Sequence, residues 1–270
     1  NRPVRNAILW NDTRTTAECR EIERALGPNL LGIARNPALE GFTLPKILWV
    51  RKHEPDAFAK AKRFVLPKDY VRYRLTGEVH MDYSDAAGTL LLDVANKRWS
   101  PEILAAFDLP ESFCPPLVES HGHVGGLLPE IAEQTGLAAG TKVFAGGADN
   151  ACGAIGAGIL SPGLTMCSIG TSGVILTYEQ NKDTDYAGKV HFFNHGKADS
   201  FYAMGVTLAA GYSLSWFKQM FAPNESFSDF LRGVGDIKPG SGGLLFTPYL
   251  VGERTPHADA VIRASFIGAD

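Results

Sequence analysis

The sequence predicts an α/β protein of two domains, and three features carry that expectation. Apolar strand-like runs alternate with amphipathic helical stretches, the pattern of a sheet covered by helices. One run, Val143-Phe144-Ala145, ends in Gly146-Gly147, and Asp149-Asn150 then opens a small-residue stretch to Gly158, which reads as strand, turn and helix. After Ser161 the pattern changes to apolar runs joined by short glycine turns, the mark of hairpins. The boundary is therefore placed between residues 1–160 and 161–270, and 270 residues suffice for two cores.

Residues 6–10 (Asn-Ala-Ile-Leu-Trp) form a short apolar run that predicts a strand, ended by polar Asn11-Asp12-Thr13-Arg14. Thr15/Thr16 open a charged helix to about Leu26, with Glu18 placed as capping-box partner of Thr15. Residues 45–53 mix Ile47, Leu48 and Val50 with Lys46, Trp49 and Arg51 and predict a helix. Residues 57–63 lead into a predicted strand at 64–66. Pro67-Lys68-Asp69-Tyr70 starts an amphipathic helix that Thr76-Gly77 closes. Residues 85–89 read as a loop before apolar Leu90-Leu91-Leu92, and 110–126 as an irregular connection.

Lys142 opens the strand that leads to Asp149. Beyond the boundary, residues 164–169 and 174–178 are strands joined by Gly170-Thr171-Ser172-Gly173. Strands follow at 191–193 and 201–204, then a helix over 211–221. There is no internal repeat and no low-complexity segment.

A hydrophobic fraction of 45% and a charged fraction of 20% are ordinary for a globular protein. A net charge of −3 gives no electrostatic footprint for nucleic acid or an anionic membrane. No run is apolar enough to span a bilayer and no signal-peptide pattern stands at the start, so the cytoplasm is expected. Cys19, Cys114, Cys152 and Cys167 are scattered without a C-x-x-C pair, and Cys152 and Cys167 read as buried thiols among small and apolar neighbours. His121-Gly122-His123 lacks a third ligand nearby and reads as loop; no metal site is assigned.

The geometry read for Asp149 places a carboxylate at the mouth of a sheet, where α/β folds bind ligands. A helix N-terminus favours the ionised form, ready to accept a proton, although an Asp there is equally at home as a cap. Gly170-Thr171-Ser172-Gly173 offers backbone N–H groups and two hydroxyls for phosphate, but serves as well for a plain hairpin turn. Trp10-Asn11-Asp12-x-Arg14 can hold a polyol by stacking and hydrogen bonds, or can be core plus a structural ion pair. The polar loop 248–257 sits in a Pro/Gly frame, and Glu253 and Arg254 within it could simply pair with each other.

Together these residues resemble the FGGY carbohydrate kinases. The first signature of that family is matched across Gly41-Phe-Thr-Leu-Pro-Lys-Ile-Leu-Trp-Val-Arg-Lys-His53. Further segments match in order at 7–12, 66–70, 84–89, 146–150, 169–173 and 248–257. The resemblance implies two ribonuclease-H-like domains of the actin/hexokinase type, both incomplete here. Residues 1–160 would be the back of the sugar-binding domain and 161–270 the front of the ATP-binding domain.

It further implies ATP-dependent phosphorylation of D-xylulose to D-xylulose 5-phosphate, with ATP and Mg²⁺ required. Another ketose or polyol, such as ribulose, glycerol or gluconate, is the alternative, and a non-catalytic sugar-binding fragment the second. Asp149 matches the catalytic base of the family and Asn150 the neighbouring sugar contact. Glycerol kinases tend to carry Asp-Gln there, so Asp-Asn favours xylulose. Trp10 and Asp12 fall on the sugar side. Gly170, Thr171 and Ser172 match the hairpin that touches the ATP phosphates, and Gly211 and Ser215 match positions near the nucleotide. A homodimer is an open alternative for the assembly.

The chain departs from the family pattern at both ends. An Asp-x-Gly-Thr-Ser-like hairpin, a Met-His-type sugar contact and the glycine-rich adenosine segment do not occur in it. It reads as the middle of a kinase of nearly twice the length, expected to have little or no activity alone, with the metal-holding carboxylate outside it. Ala148 stands where the pattern often has Gly.

Overall fold

The structure, a computed structural model, describes residues 2–259 and 261–269. The chain divides into two compact units. The first runs to Leu164 and takes in Tyr178–Ala203; the second comprises Thr165–Thr177 and the chain from Met204 onward.

The first unit opens with four helices, α1 (Thr16–Leu26), α2 (Pro28–Ala34), α3 (Thr43–His53) and α4 (Pro55–Lys60). There follow α5 (Pro67–Thr76), β1 (Met81–Asp82), α6 (Tyr83–Ala87), β2 (Leu92–Asp93), β3 (Arg98–Trp99) and α7 (Pro101–Ala106). After β4 (Leu117–Val118) come β5 (His123–Gly126), α8 (Pro129–Thr135), β6 (Lys142–Phe144) and α9 (Asp149–Gly156). β1 pairs in parallel with β4, β2 antiparallel with β3, and β5 antiparallel with β6 across a register shift.

The core forms where α1 lies against α3, burying Ile22, Leu26, Leu44, Ile47 and Leu48. It continues through Ala86, Ala87 and the fully buried run Leu90, Leu91, Leu92. Next in the chain are β7 (Thr165–Ile169), β8 (Gly173–Glu179), β9 (His191–Asn194) and β10 (Phe201–Thr207), hydrogen-bonded in the order β7-β8-β10-β9. Side-chain amides anchor β9 in the first unit: Asn36 Nδ2 donates to the Phe192 carbonyl (2.8 Å) and Asn194 Nδ2 to the Val94 carbonyl (3.1 Å).

In the second unit β7 and β8 form an antiparallel hairpin, with Thr165 opposite Thr177 and Ile169 opposite Gly173. The remainder comprises α10 (Gly211–Phe221), α11 (Phe227–Phe230), β11 (Leu245–Thr247) and β12 (Ser265–Ile267). Trp216 stacks on Phe246, and Phe246 packs on Phe266 at 4.6 Å between ring centroids, an aromatic cluster that joins α10 to the β11–β12 pair.

Several expectations change. Residues 6–10 are not a strand, because no described strand lies beside them to take their backbone groups. Residues 64–66 are not a strand either. Phe64 spends its apolar surface on Trp99 and Phe113, and the Leu66 amide donates to Asp69 Oδ2 (3.2 Å) at the head of α5. The Thr15–Glu18 capping box is absent: Thr15 makes no side-chain cap bond, and buried Glu18 instead accepts Lys52 Nζ at 3.0 Å.

The 85–89 loop is in part helix α6, capped by Asp82, whose carboxylate accepts the Ser84 and Asp85 amides. The 110–126 connection contains β4 and β5. Cys152 and Cys167 are exposed. On α9 the buried positions are Ala151 and Ala154, which turns Cys152 outward, and Cys167 lies on β7, the outer strand of its sheet.

Leu48→Ala removes a fully buried side chain and is expected to cost about 2–5 kcal/mol in urea unfolding. Val71→Ala, on the exposed face of α5, should stay within about 0.5 kcal/mol.

Candidate functional site

In the first unit the site is built around the loop between β6 and α9, which is fixed at successive residues. Arg72 Nη1 donates to the Ala145 carbonyl (2.6 Å), the Gly146 amide to the Ser120 carbonyl (2.9 Å), and the Ala148 amide to Ser84 Oγ (2.9 Å). A Cβ at Gly147 would meet Ser84 Oγ at 3.0 Å and Cys152 Sγ and Ser120 Oγ at 3.3 Å, so any larger residue would make these three side chains give way. Ala148 is the N-cap of α9 and Asp149 its first helical residue.

Asp149 is exposed. Its Oδ1 accepts the Asn150 amide (2.7 Å) and Asn150 Nδ2 (3.1 Å), while Oδ2 has no hydrogen-bond partner among the described residues. Asp149 therefore does not cap its own helix. One carboxylate oxygen is tied to Asn150 and the other is free to take a proton.

Behind this loop lies a set of ionic side chains that the sequence reading did not single out. Lys68 Nζ contacts Asp82 Oδ1 at 2.5 Å, Asp85 Oδ2 at 3.1 Å and Asp69 Oδ1 at 3.3 Å, and Asp69 also pairs with Arg72 at 3.1 Å. Burial pulls the Lys68 ammonium down, but Asp82, Asp85 and Asp69 outweigh it and hold the group above its usual value. Burial also pushes the Asp85 carboxyl up to about 6, against the pull of Lys68 and with the help of Asp82 and Asp69. The buried Tyr202 hydroxyl is raised first by burial and then by the fields of Asp85, Asp149 and Asp82, which places it in the same electrostatic neighbourhood. The available signal was the polar density of Lys68-Asp69 and Asp82-Tyr83-Ser84-Asp85 inside an apolar frame.

The Trp10–Arg14 segment is a turn, with the Asp12 amide donating to the Leu9 carbonyl (3.2 Å). Trp10 is 72% exposed. Asp12 is held bidentately by Arg14 (2.9 and 2.7 Å), whose hydrogen bonds pull its carboxyl down to about 2. Arg14 in turn lies over the Trp49 ring. Glu253 and Arg254 form no side-chain ion pair: Glu253 is buried and accepts the Thr207 hydroxyl (2.7 Å) and the Leu208 amide (3.2 Å).

In the second unit the structure brings Gly170 and Thr171 to Gly211. The Gly211 amide donates to the Gly170 carbonyl (2.8 Å), and the Ala210 and Tyr212 amides to the Thr171 carbonyl (2.9 and 3.1 Å). A Cβ on Gly211 would lie 2.6 Å from the Gly170 oxygen, so no other residue fits. The first amides of α10 are thus committed to the turn and are not available to an anion. The amides and hydroxyls of Thr171 and Ser172 have no partner among the described residues, which leaves donors at the hairpin tip for phosphate oxygens. Ser215 is exposed one turn further along α10.

Among the described residues no group of three or more His, Cys, Asp or Glu could hold a metal ion. The described residues do not form a magnesium cage. No described helix is long and apolar enough to cross a membrane.

Comparison with known proteins gives matches along nearly the whole chain. Residues 1–156 match the N-terminal domain, and residues 165–270 the C-terminal domain, of the FGGY family of carbohydrate kinases. The chain is 66% identical over 267 residues to a xylulose kinase of Bacillus subtilis, covering 99% of this chain and 54% of that protein. A crystal structure of a "xyloylose kinase" from Brucella ovis superposes with a TM-score of 0.91 at 40% identity, covering 99% of this chain and 54% of that one. A gluconate kinase from Lactobacillus acidophilus gives 0.91 at 25% identity, over 98% and 54%. The chain spans about half the length of the curated relatives it matches. Its fold is the actin/hexokinase-like fold of these neighbours.

The raised Asp85 carboxyl has a consequence for stability. The folded protein keeps that proton where an unfolded Asp, with its usual value of 3.8, has released it. Stability linked to Asp85 is therefore complete below about pH 4 and declines as pH rises through about 6. Carbon-13 titration should give Asp85 a midpoint near 6, whereas a midpoint near 4 contradicts the burial argument.

Proposed function

The chain belongs to the FGGY family of carbohydrate kinases, and we propose that the protein transfers the γ-phosphoryl group of ATP to the 5-hydroxyl of D-xylulose, with Asp149 as general base. The observation that carries this reading is the exposed Asp149 carboxylate with one oxygen unpartnered, on a loop fixed at Ala145, Gly146 and Ala148. Asp149 Oδ2 takes the hydroxyl proton as the sugar oxygen bonds to the γ-phosphorus. The bond from that phosphorus to the β,γ-bridging oxygen breaks, and ADP leaves. Phosphoryl transfer proceeds through a loose transition state, so positioning and charge neutralisation are the protein's main tasks.

Asn150, tied to Asp149, supplies polar contacts to the sugar, and the exposed Trp10 ring offers an apolar face to it. Asp12 stays ionised through Arg14 and accepts sugar hydroxyls. The free donors of Thr171 and Ser172 engage phosphate oxygens, with Gly170 and Gly211 setting the turn and exposed Ser215 on α10 meeting the nucleotide. A magnesium ion on the ATP phosphates would supply charge neutralisation, and none of the roles given to these residues depends on it. The 66%-identical relative is a xylulose kinase, which supports the choice of sugar; the gluconate kinase neighbour keeps a polyol or sugar acid as the alternative.

Phosphorylation assays of the full-length protein over xylulose, ribulose, glycerol and gluconate should give the highest kcat/KM with xylulose; a preference for another acceptor overturns the substrate. Asp149→Asn should lower kcat by about 10²–10⁴-fold while sugar binding persists. The 270-residue polypeptide assayed alone is expected to give no turnover, and wild-type-like turnover would overturn that expectation.

A further inference from the structure

The loop that presents Asp149 rests on one buried carboxylate, and a single hydroxyl links the two. Asp82, fully buried, is the hub. Its Oδ1 accepts Lys68 Nζ, and its Oδ2 accepts the Ser84 amide (3.0 Å), the Ser84 hydroxyl (2.5 Å), the Asp85 amide (3.3 Å) and the Ser120 hydroxyl (3.2 Å). Two of these donors reach onward to the loop. Ser120 accepts the Gly146 amide through its backbone carbonyl, which survives any side-chain change. Ser84 accepts the Ala148 amide through Oγ, a contact that depends on the side chain alone.

A serine hydroxyl has one proton to give. Because Asp82 Oδ2 lies 2.5 Å from the Ser84 hydroxyl, that proton is given to Asp82, and a lone pair is left for the Ala148 N–H. The amide can only donate, and the bond to Asp82 keeps the hydroxyl proton turned away so that a lone pair faces it. Ala148 is the N-cap of α9, so this bond sets where the helix begins and how Asp149, the next residue, is displayed. Without it the Ala148 amide would be left without a partner beside a buried carboxylate.

We propose that Ser84 is a positioning residue for phosphoryl transfer, acting through Asp149 by holding the Ala148 amide with its own proton fixed on Asp82. This rests on the reading of Asp149 as general base. A residue that merely supports the fold would weaken the enzyme whatever stands at position 149. A residue that works through Asp149 has nothing left to lose once Asp149 cannot accept a proton, so a double-mutant cycle separates the two.

The experiment measures kcat and KM for ATP and xylulose in the full-length protein, at equal folded concentration, for Ser84→Ala, Asp149→Asn and the double variant. Ser84→Ala should lower kcat about tenfold or more, with KM for ATP unchanged within about twofold. In the Asp149→Asn background the same change should alter kcat by less than about twofold. Ser84→Thr, which keeps the hydroxyl, should restore most of the rate.

An equal fold-loss in both backgrounds, or a Ser84→Ala enzyme as fast as wild type, overturns the proposal. If Ser84→Ala does not fold, Ser84→Cys retains the volume with a poor acceptor and should show the same loss; wild-type turnover in it overturns the proposal. Absence of xylulose kinase activity in the wild-type protein would instead overturn the functional reading on which the proposal stands.

Discussion

The ion pair between Lys68 and buried Asp82 is the interaction on which the first unit's site depends. A carboxylate taken out of water costs several kcal/mol unless it is paired and its lone pairs are filled. Asp82 meets both conditions, with Lys68 on one oxygen and four donors converging on the other. Those donors come from α6 and from Ser120 ahead of β5, so the carboxylate cements the elements that grip the 145–148 loop. Lys68 is shared with Asp69 and Asp85, and Asp69 turns Arg72 toward the Ala145 carbonyl. The two side-chain grips on the loop, from Arg72 and Ser84, trace back to carboxylates that contact Lys68, while the Gly122 and Ser120 carbonyls hold the Ala145 and Gly146 amides directly. Asp149 is thereby exposed without being loose.

The second unit reaches a comparable result with backbone rather than charge. The Gly170 and Thr171 carbonyls take the amides that open α10, and glycine at 211 lets the two backbones meet. Buried Glu253 braces the other side, accepting the Thr207 hydroxyl and the Leu208 and Arg254 amides. The donors left over are those of Thr171 and Ser172, at the tip of the turn. A turn built this way presents hydroxyls and amides in a fixed array, which is what a chain of phosphate oxygens requires.

What was legible in the sequence follows from how far apart the interacting residues lie. The passage from Lys142 through Gly147 to Asp149 and the hairpin around Gly170–Gly173 are local events, governed by turn chemistry and short apolar runs, and both stand in the structure. The strand expected at 6–10 failed because a strand is defined by its neighbour, and composition does not say whether one exists. Phe64 misled for a related reason: its apolar character serves aromatic packing on Trp99 and Phe113. The Asp82 hub was out of reach, since Ser84 and Ala148 are 64 residues apart and nothing local in either marks the contact. Glu18 shows the same limit at short range, looking like a capping partner while serving as a buried acceptor for Lys52.

For Asp149 to act as the base, its free oxygen must face the hydroxyl that is phosphorylated. A crystal structure of the full-length protein with D-xylulose bound tests it most directly. Asp149 Oδ2 is expected within about 2.6–3.2 Å of the sugar 5-hydroxyl, with the Ala148 amide still bonded to Ser84 Oγ. A complex in which that hydroxyl lies beside a different base, with Asp149 turned away from the sugar, would contradict it.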